Sequence, residues 1–177
     1  STLAAVWWTE DHAQLEWAVY GDSCVLRWRR EAQKLEVFPP AMGEGLSGFT
    51  GTTHLIATNA PLRPEGFVRG SGMATREDCL LLATDAMSQY LVLGKLLLQD
   101  GMDPAAIEAK FDGAHHPLAG KIEELASHFY AAKDMAQWMR TILGAVQSKP
   151  VFEDLCRNLY EYDLLVPDDY SLMMIEI

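Results

Sequence analysis

The sequence predicts an α+β fold, a two-layer antiparallel β-sandwich flanked by helices. Three observations predict it. The first part of the chain alternates apolar and polar residues with period two, broken by Gly and Asp. From Ala86 onward the apolar period lengthens to that of a helix. The order is strands, then helices, then one closing strand, not a regular βαβ alternation. The chain has 177 residues, 49% of them apolar. A single domain of that size buries roughly 70% of its unfolded surface, so residues 1–177 are read as one domain.

The elements follow in order. Ser1 to Trp8 is an apolar run rich in β-formers, and it opens abruptly, as if another segment precedes it. Gln14 to Tyr20 places Leu15, Trp17 and Val19 on one face. Gly21-Asp22-Ser23 punctuates, as a hairpin turn does. Cys24 to Trp28 sets Cys24, Leu26 and Trp28 against Val25 and Arg27. Lys34 to Phe38 ends at Pro39-Pro40, and the Gly-rich stretch Met42 to Gly51 reads as loop. Phe67 to Ala74 and Cys79 to Thr84 are two further strands about the polar turn Thr75 to Asp78. The second is continuously apolar, as a strand covered on both faces is. Met87, Tyr90, Leu91 and Gly94 begin a helical face that runs to about Gln99. Asp103-Pro104 is an N-cap with a first-turn proline, opening a short helix to Phe111. Ile122, Leu125, Phe129, Ala132, Met139, Ile142 and Val146 keep helical spacing, and Pro150 opens another helix. Tyr170 to Ile177 returns to strand.

Charge and composition exclude several functions. With 14 Lys plus Arg against 25 Asp plus Glu, the formal charge is −11. Such a chain repels phosphate backbones and offers no basic stripe to an anionic membrane, so neither nucleic acid nor membrane is an expected partner. No stretch reaches the roughly 18 apolar residues of a spanning helix. Cys24, Cys79 and Cys156 are too few and scattered for a disulfide framework or a thiolate metal site, and read as reduced thiols of a cytoplasmic protein. His115-His116 before Pro117 reads as loop, and His12, His54 and His128 are isolated. Asp11-His12 with Ser23 makes no hydrolase triad without a Gly-x-Ser-x-Gly elbow. Gly43 to Gly51 lacks the Lys-Ser or Lys-Thr of a P-loop. The five tryptophans read mostly as core.

Three acidic positions share one context. Asp22 lies in the turn between two strands. Asp85 follows the apolar strand at the start of a helix. Asp168, with Asp169 beside it, precedes the final strand. Adjacent strands lie about 4.8 Å apart, so residues at strand ends can meet on one rim. Three carboxylates without His or Cys would form a hard, oxygen-only site suited to Mg²⁺ or Mn²⁺. Each also has a plainer reading, as a hairpin turn, a helix N-cap and a solvated turn.

The order of these motifs carries a resemblance. Val19-Tyr20-Gly21-Asp22-Ser23-Cys24-Val25-Leu26, then Leu80-Leu81-Leu82-Ala83-Thr84-Asp85-Ala86, then Asp168-Asp169-Tyr170-Ser171-Leu172-Met173-Met174-Ile175 resemble the metal-dependent Ser/Thr protein phosphatases of the type 2C class. That family carries Gly-Asp-Ser between strands, Thr-Asp-Gly after a Leu-rich strand, and Asp-Asn-x-Thr before a closing strand. The resemblance covers most of the chain. It implies a β-sandwich with two or more Mg²⁺ or Mn²⁺ ions at one end. It also implies hydrolysis of a phosphorylated protein substrate by a water bridging the ions, with no phosphoenzyme. Asp85 and Asp168 match ligands of the main metal pair, and Asp22 matches a ligand of an additional, weaker position. Asp169 stands where the family has Asn.

The sequence departs from that pattern in three places. The family's N-terminal part, with an Asp-Gly-x-Gly motif whose Asp bridges both metals, has no counterpart. Asp100-Gly101 and Asp112-Gly113 follow the Thr-Asp motif and read as helix ends or turns. Ala86 stands in place of Gly. Residues 113–149 are longer than the family requires and read as a helical insert, whose plainest role is core packing and whose alternative is gating or docking. The chain is therefore expected to be the larger, C-terminal part of a type 2C-like domain, incomplete and poorly active alone, with its own N-terminal segment a possible separate partner. The alternative is a catalytically incomplete module of the same architecture that binds a partner protein.

Overall fold

The computed structural model describes residues 2–9, 14–49, 56, 61, 63–111 and 116–177. The readings placed on Asp11-His12, His54, Asp112-Gly113 and His115 lie outside them. Among the described residues, seven strands form two antiparallel sheets, and five α-helices accompany them. The first sheet has the order β1-β2-β5, from β1 (Leu3–Trp8), β2 (Leu15–Tyr20) and β5 (Phe67–Gly72). The second has the order β4-β3-β6-β7, from β3 (Cys24–Arg29), β4 (Lys34–Phe38), β6 (Asp78–Ala83) and β7 (Leu172–Glu176). The predicted α+β class and sandwich are borne out.

Period two explains the layering. The odd positions of β2 and β3 meet between the sheets, where Trp17, Val19 and Val25 pack with Ala4, Val6 and Phe38. The other face of the four-stranded sheet presents Leu26, Trp28, Leu35, Leu81 and Ala83 to the helices, and this is the main core. Strand β6 therefore has both faces covered, which is why it reads as an unbroken apolar run. Between the layers, Arg27 Nε donates to Glu36 Oε2 at 2.9 Å, its guanidinium lies over Phe38, and it also donates to the Met73 carbonyl.

Two turns differ from the hairpin expectation. Strands β2 and β3 are not hydrogen-bonded to each other; Gly21-Asp22-Ser23 carries the chain from one sheet to the other. Gly21 takes φ of +84°, which glycine adopts without a Cβ clash, and its N–H donates to the Gly66 carbonyl. The turn between β5 and β6 makes the same change of layer. Local spacing cannot reveal this, because pairing partners are chosen by distant strands.

The helices are α1 (Asp85–Gly94), α2 (Pro104–Glu108), α3 (Ile122–Tyr130), α4 (Met135–Val146) and α5 (Lys149–Glu161). A π-helical turn, Lys95–Gln99, continues α1, and Gly101 at φ +62° follows it, so Asp100-Gly101 ends a helix as read. Gln99 reaches the outer edge of β4, accepting from Leu35 N at 2.6 Å and donating to Leu35 O at 3.2 Å. The single periodic run from Ile122 to Val146 is two helices. Asp134 caps the second by accepting from Gln137 N at 2.8 Å, while Gln137 Oε1 accepts from Lys133 N. Both pack into the main core, so residues 113–149 contribute core through Ile122, Phe129, Trp138 and Ile142. Trp138 lies against Gly94, where a Cβ would come within 2.4 Å of the indole ring. Trp17, Trp28 and Trp138 are buried, whereas Trp7 is 41% exposed.

Candidate metal and acid site

Sheet register builds the site. Cys24 pairs with Ala83, and Ala83 pairs with Leu172, so the start of β3, the end of β6 and the start of β7 share one rim. Asp22 lies two residues before Cys24, Asp85 two after Ala83, and Asp168 four before Leu172. Antiparallel neighbours alternate direction, which is how residues so far apart in sequence arrive at one end.

A short clasp fixes the rim. Thr84 N donates to Ser171 O at 3.0 Å, and Ser171 N donates to Thr84 Oγ1 at 3.1 Å. Tyr170 Oη donates to Val166 O at 2.9 Å and holds the approach to β7. Thr84 and Ser171 escaped the sequence reading. The signal available was a hydroxyl residue beside Asp85 and another three positions after Asp168. On the third strand, Ser23 Oγ and Thr2 Oγ1 are 2.7 Å apart, tying the Asp22 turn to the start of β1.

The carboxyls respond to this crowding. Burial, first of all, pushes Asp85 up to about 7; a hydrogen bond shared with the Asp168 carboxyl and the negative charges of Asp22 and Asp168 push the same way. The Ala86 N–H, donating to Asp85 Oδ1 at 2.6 Å, opposes them. Asp85 also opens α1, where the helix dipole favours an anion. Asp168 is exposed and accepts from Asp169 N at 2.7 Å. Asp22 is buried at 8% exposure. Beneath the rim, burial pushes the Cys24 thiol up to about 12, so it is an inert core thiol.

Asp85 thus responds to Asp168 most directly among its neighbours, and Asp22 acts on it through its field. Among the described residues, no three His, Cys, Asp or Glu side chains lie close enough to enclose one cation. The two observations differ in reach: a charge is felt beyond ligation distance, so carboxylates can perturb one another without enclosing a cation. The chemistry of the donors still suits a hard cation, since all are carboxylate oxygens and no ion pair with Lys or Arg neutralises Asp85 or Asp168 among the described residues. The histidines stay apart from it. His116 is buried and stacks on Phe111 at 4.5 Å, and His128 packs against Phe129 and Tyr162. The three cysteines are free and buried. Among the described residues, no helix is long and apolar enough to cross a membrane.

No protein-family model matches the sequence, and no curated protein matches it. Among solved structures, the chain is similar to the phosphatase domain of the cell fate determinant SpoIIE from Bacillus subtilis. The Mn-presoaked form is 12% identical with a TM-score of 0.43, and another structure of the domain is 13% identical with a TM-score of 0.41. Each comparison covers 100% of this chain but only 56% and 55% of the SpoIIE domain, so the chain spans little more than half the length of what it resembles.

Proposed function

We propose that the chain is the larger, C-terminal part of a metal-dependent phosphomonoesterase acting on phosphoserine or phosphothreonine in proteins. Asp22, Asp85 and Asp168 would hold Mg²⁺ or Mn²⁺. What supports this is the rim, where the strand ends leading to Asp22, Asp85 and Asp168 adjoin and where burial, with the charges of Asp22 and Asp168, raises Asp85 to about 7. A protein keeps such like charges together at a cost, and a divalent cation offsets it. When bound, the cation supplies Lewis acidity toward water and toward a phosphoryl oxygen.

The chain's own residues do the rest. Asp85 gives up the proton it shares with Asp168, so that both carboxylates become acceptor-only groups. The Thr84–Ser171 clasp keeps the two from drifting apart. Asp22 sets a negative field from the neighbouring strand end. Asp85 and Asp168 leave most of an octahedral shell to waters and to donors beyond the described cluster, and a second ion needs further donors as well. In this reading residues 1–177 form one unit, with 113–149 an insert within it.

The test is hydrolysis of p-nitrophenyl phosphate and of a phosphothreonine peptide, with Mn²⁺, by the full-length gene product. Asp85→Asn is expected to lower turnover by roughly a hundredfold, with an unchanged circular dichroism spectrum. Equal turnover in wild type and variant rejects the assignment. No heat of Mn²⁺ binding in a calorimetric titration favours the partner-binding module instead.

A further inference from the structure

The two layers of the sandwich do not match in width. Strand β1 is an edge of the three-stranded sheet and packs over β3 and β6, so β7, the edge of the four-stranded sheet, extends past it. On β7, Leu172 and Met174 face the helical core. Met173 pairs across its sheet with Leu82, and Leu82 with Val25, so it points toward the other layer; it is 59% exposed. Above this bare face runs the free edge of β1. Thr9 N donates to Gln14 O, and by the antiparallel alternation Leu3, Ala5 and Trp7 turn their backbone groups to β2 as well. The N–H and C=O groups of Ala4, Val6 and Trp8 therefore point away from β2, and no strand among the described residues pairs with that edge. Natural edges are ordinarily guarded by Lys, Pro or a bulge. Leu3–Trp8 has no charge, no proline and an unbroken register. Edge and face together make a slot one strand wide, with a hydrogen-bonding wall and an apolar floor. Its mouth is at the acidic rim, since Leu3 pairs with Tyr20, two residues before Asp22, and β7 starts there at Leu172.

We infer that this slot takes one extended segment of the gene product from before Ser1. The segment adds to β1 as a fourth strand of its sheet and lays alternate, apolar side chains on Met173 and Ile175. Two unmet needs specify the same occupant: the wall calls for an extended backbone, and the floor for apolar groups at period two. Thr2 is bonded to Ser23 at the mouth of the slot, so a segment arriving there enters along β1. A second copy does not fit. Joining β1 to β1 would bring two β7 strands, each reaching beyond its own β1, into the same space. The inference rests on the reading of residues 1–177 as the C-terminal part of a longer domain, and adds where the remainder docks and by what bonds.

The test is peroxide footprinting of the full-length gene product, read by mass spectrometry. Met73, at 70% exposure just after β5, is the internal reference. Thioether oxidation follows access, so Met173 is expected to oxidise about tenfold more slowly than Met73 when the slot is filled. Ala4→Pro removes one outward N–H and none of the bonds to β2. It is expected to speed both Met173 oxidation and hydrogen exchange at the Val6 and Trp8 amides. With p-benzoylphenylalanine in place of Met173, irradiation is expected to join position 173 to a peptide upstream of Ser1 in the same molecule. Equal oxidation of Met173 and Met73 in the wild type overturns the proposal. So does capture of a second copy, of another polypeptide, or of any part of residues 1–177. Footprinting needs no turnover, so the two readings fail separately. A protein that hydrolyses nothing yet shields Met173 keeps the slot and rejects the enzyme; turnover with Met173 as reactive as Met73 does the reverse.

Discussion

Asp85 makes the metal-free protein sensitive to pH in a direction opposite to that of most surface carboxylates. Its folded value of about 7 lies above the ordinary 3.8. Between those values the native state binds a proton that the unfolded chain has released. The contribution is complete below about 4 and is lost as pH rises through about 7. The melting temperature of the metal-free protein should therefore fall over that interval, and Asp85→Asn should flatten the fall and be the more stable protein above pH 7. A variant curve parallel to that of wild type would remove Asp85 as the cause. The same proton must leave when a cation is taken up, so Mn²⁺ affinity should rise over the same range. Asp85, Asp22 and Asp168 were legible as candidates because each sits where a strand ends. Which strand ends adjoin was not legible, since it depends on register between strands nearly a hundred residues apart.

At the scale of elements, the strands were legible because their faces are unequally buried, and β4 was read with its observed bounds. The helices were legible as apolar stripes, but their breaks were not always. Asp134 interrupts a periodic run with a side-chain hydrogen bond that leaves the apolar spacing untouched. The Gly21-Asp22-Ser23 turn has hairpin chemistry, yet it changes layers because β3 finds β4 and β6, not β2. Gln99 is a further case. Its amide satisfies both backbone groups of Leu35 at the sheet edge, acting as a one-residue substitute for a neighbouring strand. Gln99→Leu keeps the volume and leaves those groups unpaired. It should cost about 1–3 kcal/mol in urea unfolding and speed hydrogen exchange at the Leu35 amide. Unaltered exchange there would show that the contact carries no weight.

For the whole molecule, strand order matters more than strand content. The β3–β4 hairpin closes through a short turn, whereas β7 joins β6 across almost half the chain. Contacts of such long separation form late, because closing the intervening loop costs entropy before any pairing offsets it. Leu172→Ala, at the β6–β7 pairing, should therefore speed unfolding with little effect on the refolding rate, which stopped-flow denaturant jumps can separate. A variant that refolds more slowly, with unfolding unchanged, would place β7 in the nucleus instead.

The Thr84–Ser171 clasp carries a mechanical implication. It fastens the first turn of α1 to the entry of β7 by two bonds within one sheet, while the Asp22 turn bridges the two sheets, from β2 to β3, and is tied to β1 through Ser23 and Thr2. Slippage of one layer against the other would therefore be taken up in the Asp22 turn, which spans both layers, and not between Asp85 and Asp168, whose strands share one sheet.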